Sequence, residues 1–193
     1  MEFEVIKQGV ITSLPLVNEI KNEDLKQKVL MAWAFSLSKN GYTKIEELEG
    51  SGKPGGYVLG NQAQHIICVT RMALAMVEIF EISYGKNMHI DRDMLIAAGL
   101  CHDVGKPYEY HLQKQQEWKA RPWCSGNPAL RHTLYGVHVA LTVQLPEEVV
   151  HVCGCHSLEG ELVERSLLAT IIHYADKAAW RIPGCYDGWK FAN

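Results

Sequence analysis

The sequence predicts an all-α protein, a helical bundle preceded by a helical appendage. Three observations carry that expectation. Apolar side chains recur at three- and four-residue steps along most of the chain. No stretch alternates apolar with polar residues as a half-buried strand would. Capping and turn residues stand where the patterned stretches begin and end. At 193 residues, 47% hydrophobic and 21% charged, the chain can bury a sizeable core and is too apolar for disorder.

In chain order, Glu23 to Lys39 carries Leu25, Val29, Leu30, Trp33 and Leu37 on one stripe and is closed by Asn40-Gly41. Gly50 to Gly56 holds four glycines and a proline in seven residues and reads as a loop. Its Gly52-Lys53 is followed by Pro54, so the phosphate cradle Gly-x4-Gly-Lys-Ser/Thr is not formed. Gln62 to Tyr84 follows, with Ile66, Val69, Ala73, Met76, Val77 and Phe80 on one stripe. Asp91 is placed to cap a helix running to Cys101, with Asp93 in its first turn. A polar, aromatic segment from Tyr108 to Asn127 is bent by Pro107, Pro122 and Pro128. Further helices are expected at about 130–144, 146–156 and 161–180. The break near residue 60 divides the chain into an N-terminal extension with its glycine-rich loop (1–60) and a main helical domain (61–193).

Composition excludes several classes. With 19 basic and 22 acidic residues, a net charge of −3, there is no basic stripe for a nucleic-acid polymer. Arg71 interrupts the longest apolar run, which leaves it short of a membrane span. The acidic start Met1-Glu2-Phe3-Glu4 lacks the order of a secretory signal, so a cytoplasmic location is expected, with the six cysteines reduced. Cys68 and Cys101 fall on apolar helical faces and read as buried, inert thiols.

The nine histidines are the informative feature. Metal sites in helix bundles are built from imidazoles and carboxylates that several helices aim inward. Their signature is a His or Asp that interrupts an otherwise apolar helix. His65, His102-Asp103, His132, His156 and Asp176 fit it, six residues on five expected helices. Of the others, His89 and His111 lie in polar connections, and His138 and His151 project away from the ligand face at ~100° per residue. His173 shares a face with Asp176 and is a candidate to orient a ligand from behind.

His65, His102-Asp103 and Asp176 resemble the defining pattern of the HD superfamily of metal-dependent phosphohydrolases. Leu100-Cys-His-Asp-Val-Gly-Lys-Pro107 resembles that superfamily's most specific local motif, and the likeness covers roughly residues 60–182. His132 and His156 match two further histidines of the subset that holds two metals. That subset includes cyclic-dinucleotide phosphodiesterases, dinucleoside tetraphosphate hydrolases, and diiron oxygenases of inositol or hydroxyalkyl phosphonates. No Gly-Tyr-Pro follows the His-Asp pair, so the cyclic-di-GMP subgroup is not supported.

The resemblance implies two divalent metal ions bridged by Asp103. His65, His102 and Asp176 would complete one set, and His132 and His156 the other. Four imidazoles and two carboxylates favour iron or manganese, with zinc, nickel or magnesium as further candidates. A metal-bridging hydroxide formed near neutral pH would attack phosphorus. Lys106 is placed to meet an anionic small-molecule substrate, and Arg71 and Arg131 are candidate oxyanion clamps. Lys177 reads first as a solvated lysine. Tyr57, Glu109, Tyr110 and Trp118 flank the motifs as candidate pocket-lining residues. The leading expectation is a phosphohydrolase of a nucleotide or small phosphoester. The alternatives are a diiron oxygenase, hydrolysis of a non-phosphate bond by the same site, and a metal-stabilised binding module. Homo-oligomers are compatible with all four.

Overall fold

A computed structural model describes residues 2–52 and 58–185, so Tyr57 and the centre of the glycine-rich segment lie outside the described residues. Its helices are α1 (Glu2–Ser13), α2 (Glu23–Lys39), α3 (Gln62–Tyr84), α4 (Arg92–Cys101), α5 (Lys106–Glu109), α6 (Leu112–Ala120), α7 (Pro122–Ser125), α8 (His132–Thr142), α9 (Glu147–Cys155) and α10 (Leu167–Cys185). The fold is all-α, as expected. Asn22 caps α2 by accepting from Leu25 N, and Asp91 caps α4 by accepting from Asp93 N and Met94 N. Asn61 and Gln64 form a reciprocal capping box that fixes where α3 begins.

Several elements were not legible in the sequence, among them α5, α6 and α7 in the polar segment around Tyr108 to Asn127. α1 forms ahead of Leu14, burying Ile6 and Val10 one turn apart. Part of the expected loop is instead a short hairpin, β1 (Glu49–Gly52) against β2 (Val58–Asn61), paired antiparallel as Glu49↔Asn61 and Ser51↔Leu59. Four-residue strands are too short to show alternation, and Gly50 permits the pairing because a Cβ there would meet the backbone oxygens of Leu59 and Asn61.

Residues on both sides of position 60 share one continuous core. Leu14, Val17, Leu30, Trp33 and Leu37 bury into the same cluster as Ile66, Val69, Leu95, Ile96, Leu100 and Ile172. Trp33 Nε1 donates to Leu100 O at 2.8 Å, and Ser36 Oγ donates to Val104 O at 2.6 Å. Helix α2 therefore satisfies buried carbonyls on both sides of His102-Asp103. On α3 the apolar stripe runs out at Phe80, which is exposed. Cys101 is buried as expected, but Cys68 is exposed. The buried face of α3 runs through Ile66, Val69 and Ala73, and Cys68 turns away from it into a surface cavity.

Candidate metal centre

Five helices converge on Asp103. His65 stands one turn into α3, His102 caps the C-terminus of α4, and Asp103 follows in the turn to α5. His132 opens α8, His156 caps α9, and Asp176 lies within α10. Gly105 lets the His-Asp turn press against the start of α8, since a Cβ there would collide with His132 O. All four imidazoles and Asp103 are buried.

The two oxygens of Asp103 face different partners. Oδ2 lies 3.4 Å from His65 Nε2 and 3.5 Å from His102 Nε2. Oδ1 lies 3.3 Å from His132 Nε2 and 3.5 Å from His156 Nε2. Asp176 Oδ1 is 3.2 Å from His65 Nε2. His65, His102 and Asp176 have donor atoms all within 4.8 Å of one another, and so do Asp103, His132 and His156.

Protons decide what this cluster is for. His102 Nδ1 donates to Gly99 O at 2.7 Å, and His156 Nδ1 donates to Val152 O and Cys153 O at 3.0 and 3.2 Å. His132 Nδ1 lies 2.6 Å from Glu109 Oε2, which also accepts from the His132 backbone N–H at 2.6 Å. Carbonyls and carboxylates only accept, so in each neutral ring the proton sits on Nδ1 and the Nε2 lone pair points inward. When neutral, these three rings aim lone pairs at a carboxylate, acceptor against acceptor, in a buried site. Such an arrangement asks for cations, and the nitrogen-and-carboxylate donors fit divalent transition ions.

Without ions the four rings divide: against the effect of burial, Asp103 raises the pKa of His65 and His156, and burial lowers that of His102 and His132. Burial opposes charge on His65, but Asp103 and Asp176 outweigh it and lift its pKa to about 9. Burial dominates at His102, which falls to about 4. Burial also opposes charge on Asp103, yet Lys106 and His102 hold it well below the usual carboxylate range. The Glu109 carboxyl, despite burial, is held down to about 2 by its hydrogen bond to His132.

The other expected site residues divide. Lys106 is buried, with Nζ 3.4 Å from Tyr110 Oη and 5.0 and 5.7 Å from the ring centres of Tyr110 and Trp180. Burial disfavours its charge, but Asp103 raises its pKa, so it remains an ammonium. Arg131 is engaged by carboxylates of the protein, Glu109 at 3.0 Å and Glu159 at 3.1 Å, rather than open to an oxyanion. Arg71 and Lys177 are exposed. Arg71 follows His65 by six residues, which turns it about 120° away around α3. His173 is buried and its Nδ1 donates to His156 O at 2.6 Å, buttressing the end of α9. Trp118 packs against Tyr108, with ring centres 5.5 Å apart. Sequence reasoning missed Gln62, whose Nε2 donates to Asp103 Oδ2 at 2.7 Å. Its spacing of three before His65 was the available signal.

Residues 63–181, more than half of the chain and all six expected ligands, match the HD domain family. The chain belongs to the HD domain family. It is also similar to the dihydroneopterin 2',3'-cyclic phosphate phosphodiesterase of Methanocaldococcus jannaschii, with 28% identity over 176 residues covering 88% of this chain and 68% of that protein. No solved structure gives a significant match. The HD domain begins after Gln62, so that residue and α2, which supports the His-Asp turn, lie outside the matched segment. Among the described residues no helix is long and apolar enough to cross a membrane.

Proposed function

We propose that this HD domain hydrolyses a small phosphoester, with a phosphodiester as the preferred class, using two divalent ions. The observation that carries the reading is the division of Asp103 between two imidazole pairs, three of whose four rings already commit their Nδ1 protons elsewhere. The likeness to a cyclic phosphate phosphodiesterase supports the substrate class. His65, His102, Asp176 and Asp103 Oδ2 would hold one ion, and His132, His156 and Asp103 Oδ1 the other. The imidazole and carboxylate donors favour iron or manganese. When bound, the ions would supply Lewis acidity at the phosphoryl oxygens and a water acidic enough to attack at neutral pH.

The chain's own residues account for the rest. Lys106, charged and held by Tyr110 and Trp180, offers an ammonium to the substrate's anionic oxygens. Glu109 and the carbonyls of Gly99, Val152 and Cys153 fix the imidazole tautomers. A cavity of about 550 Å³ beside His65, lined by Leu59, Cys68, Met72 and Ile182, suits the apolar part of an ester. The test is a panel of 2',3'-cyclic nucleotides, linear phosphodiesters and phosphomonoesters, assayed with chelated protein and with added Mn²⁺ or Fe²⁺. Chelated protein should be inactive and metal should restore turnover, diesters ahead of monoesters. Protein loaded with two ions that turns over no phosphoester sinks the proposal.

A further inference from the structure

Gln62 is 1% exposed, and its 2.7 Å hydrogen bond is shorter than any of the 3.3–3.5 Å approaches between Asp103 and the imidazoles. An ionised carboxylate only accepts, so the amide NH₂ must be the end that faces it. The residue is fixed from behind as well. Its backbone N–H donates to Leu48 O at 2.9 Å, and the Asn61–Gln64 capping box holds the first turn of α3 around it. Gln62 precedes His65 by one turn and shares its face.

The oxygen it holds is Oδ2, the one that faces His65 and His102. A bridging carboxylate left free can rotate and chelate a single ion with both oxygens. A donor on Oδ2 occupies one lone-pair direction and opposes that rotation. We infer that Gln62 is a positioning residue that keeps Asp103 Oδ2 turned to His65 and His102, so that the two carboxylate oxygens stay divided between the two ligand sets. This rests on the two-ion reading above.

The experiment is an Mn²⁺ titration of full-length wild type and Gln62→Met, read by calorimetry and by electron paramagnetic resonance. Methionine has similar volume and no donor. Wild type should bind two Mn²⁺ and give an exchange-coupled spectrum. Q62M should melt somewhat lower without metal, because buried Asp103 Oδ2 loses its donor, but should also lose about 10–100-fold in affinity for one ion and give uncoupled Mn²⁺ signals. Equal affinities with an unchanged coupled spectrum overturn the inference. If Q62M fails to fold, Gln62→Asn decides on the same two readouts, because it keeps the amide but withdraws it by about 1.5 Å. Two Mn²⁺ per wild-type chain without phosphoester turnover would remove the proposed reaction and leave the role of Gln62 standing. Fewer than two Mn²⁺ per wild-type chain overturns both.

Discussion

Around Asp103 the two ligand sets use the same chemistry and are held in place differently. In the first, His102 is fixed by a backbone carbonyl inside its own helix, Gly99 O. His65 lies between two carboxylates, which lift its pKa to about 9 in the ion-free protein. In the second, His132 is fixed by a side chain, Glu109, which Arg131 also holds, while His156 relies on carbonyls of α9. The first set is thus tied to the helix backbone and must release a proton to accept an ion. The second depends on a carboxylate that mutation can remove without touching a ligand.

Asp103→Ala would break the comparison most completely, because it removes the group common to both sets. On the proposed two-ion reading, both ions should be lost and phosphoester turnover should fall by about 10²–10³-fold or more. Metal analysis that still finds one tight ion per chain would show that the sets do not share it. Glu109→Gln should sharpen the contrast, weakening the second ion by about 10–100-fold and leaving the first near its wild-type affinity. Equal weakening of both ions in a calorimetric titration would erase the distinction.

The pH dependence has a definite sign. His65 is protonated in the ion-free protein below about 9, so protons compete with the first ion there. Its affinity for Mn²⁺ should rise roughly tenfold per pH unit between 7 and 9, with one proton released per ion. Titration in two buffers of different ionisation enthalpy counts that proton. The raised pKa also stabilises the ion-free fold fully below the unfolded value of about 6.5, and this contribution is lost as pH climbs through about 9. Urea midpoints of chelated protein at pH 6.5 and 9 check it.

The smallest effect is expected from Ser36→Ala. It leaves Val104 O without its 2.6 Å donor and should cost about 1–3 kcal/mol, read by urea denaturation. No change in stability would mean that α2 is only adjacent to the His-Asp turn.

Much of this was readable from local pattern. Helices α2 and α3 begin and end where the apolar stripes and their flanking residues put them, at Glu23–Lys39 and Gln62–Tyr84. The six expected ligands stood out because an imidazole or carboxylate in an apolar helix has no local partner to explain it. In the sequence Glu109 shows only as a residue flanking a motif, and Arg131 as a candidate oxyanion clamp. Glu109 meets both Arg131 and His132 across about twenty residues of chain that carry no local signal of that pairing.

The sequence by itself determined the long amphipathic helices such as α2 and α3 and the identities of the candidate ligands, since periodicity and side-chain chemistry are local properties. The tertiary structure alone decided which oxygen of Asp103 meets which imidazole, that Glu109 and Gln62 brace the centre, and that α2 holds the carbonyls beside His102-Asp103. Those are contacts between residues far apart in the chain. Their geometry is set by how the helices pack, which spacing along one strand of sequence does not encode.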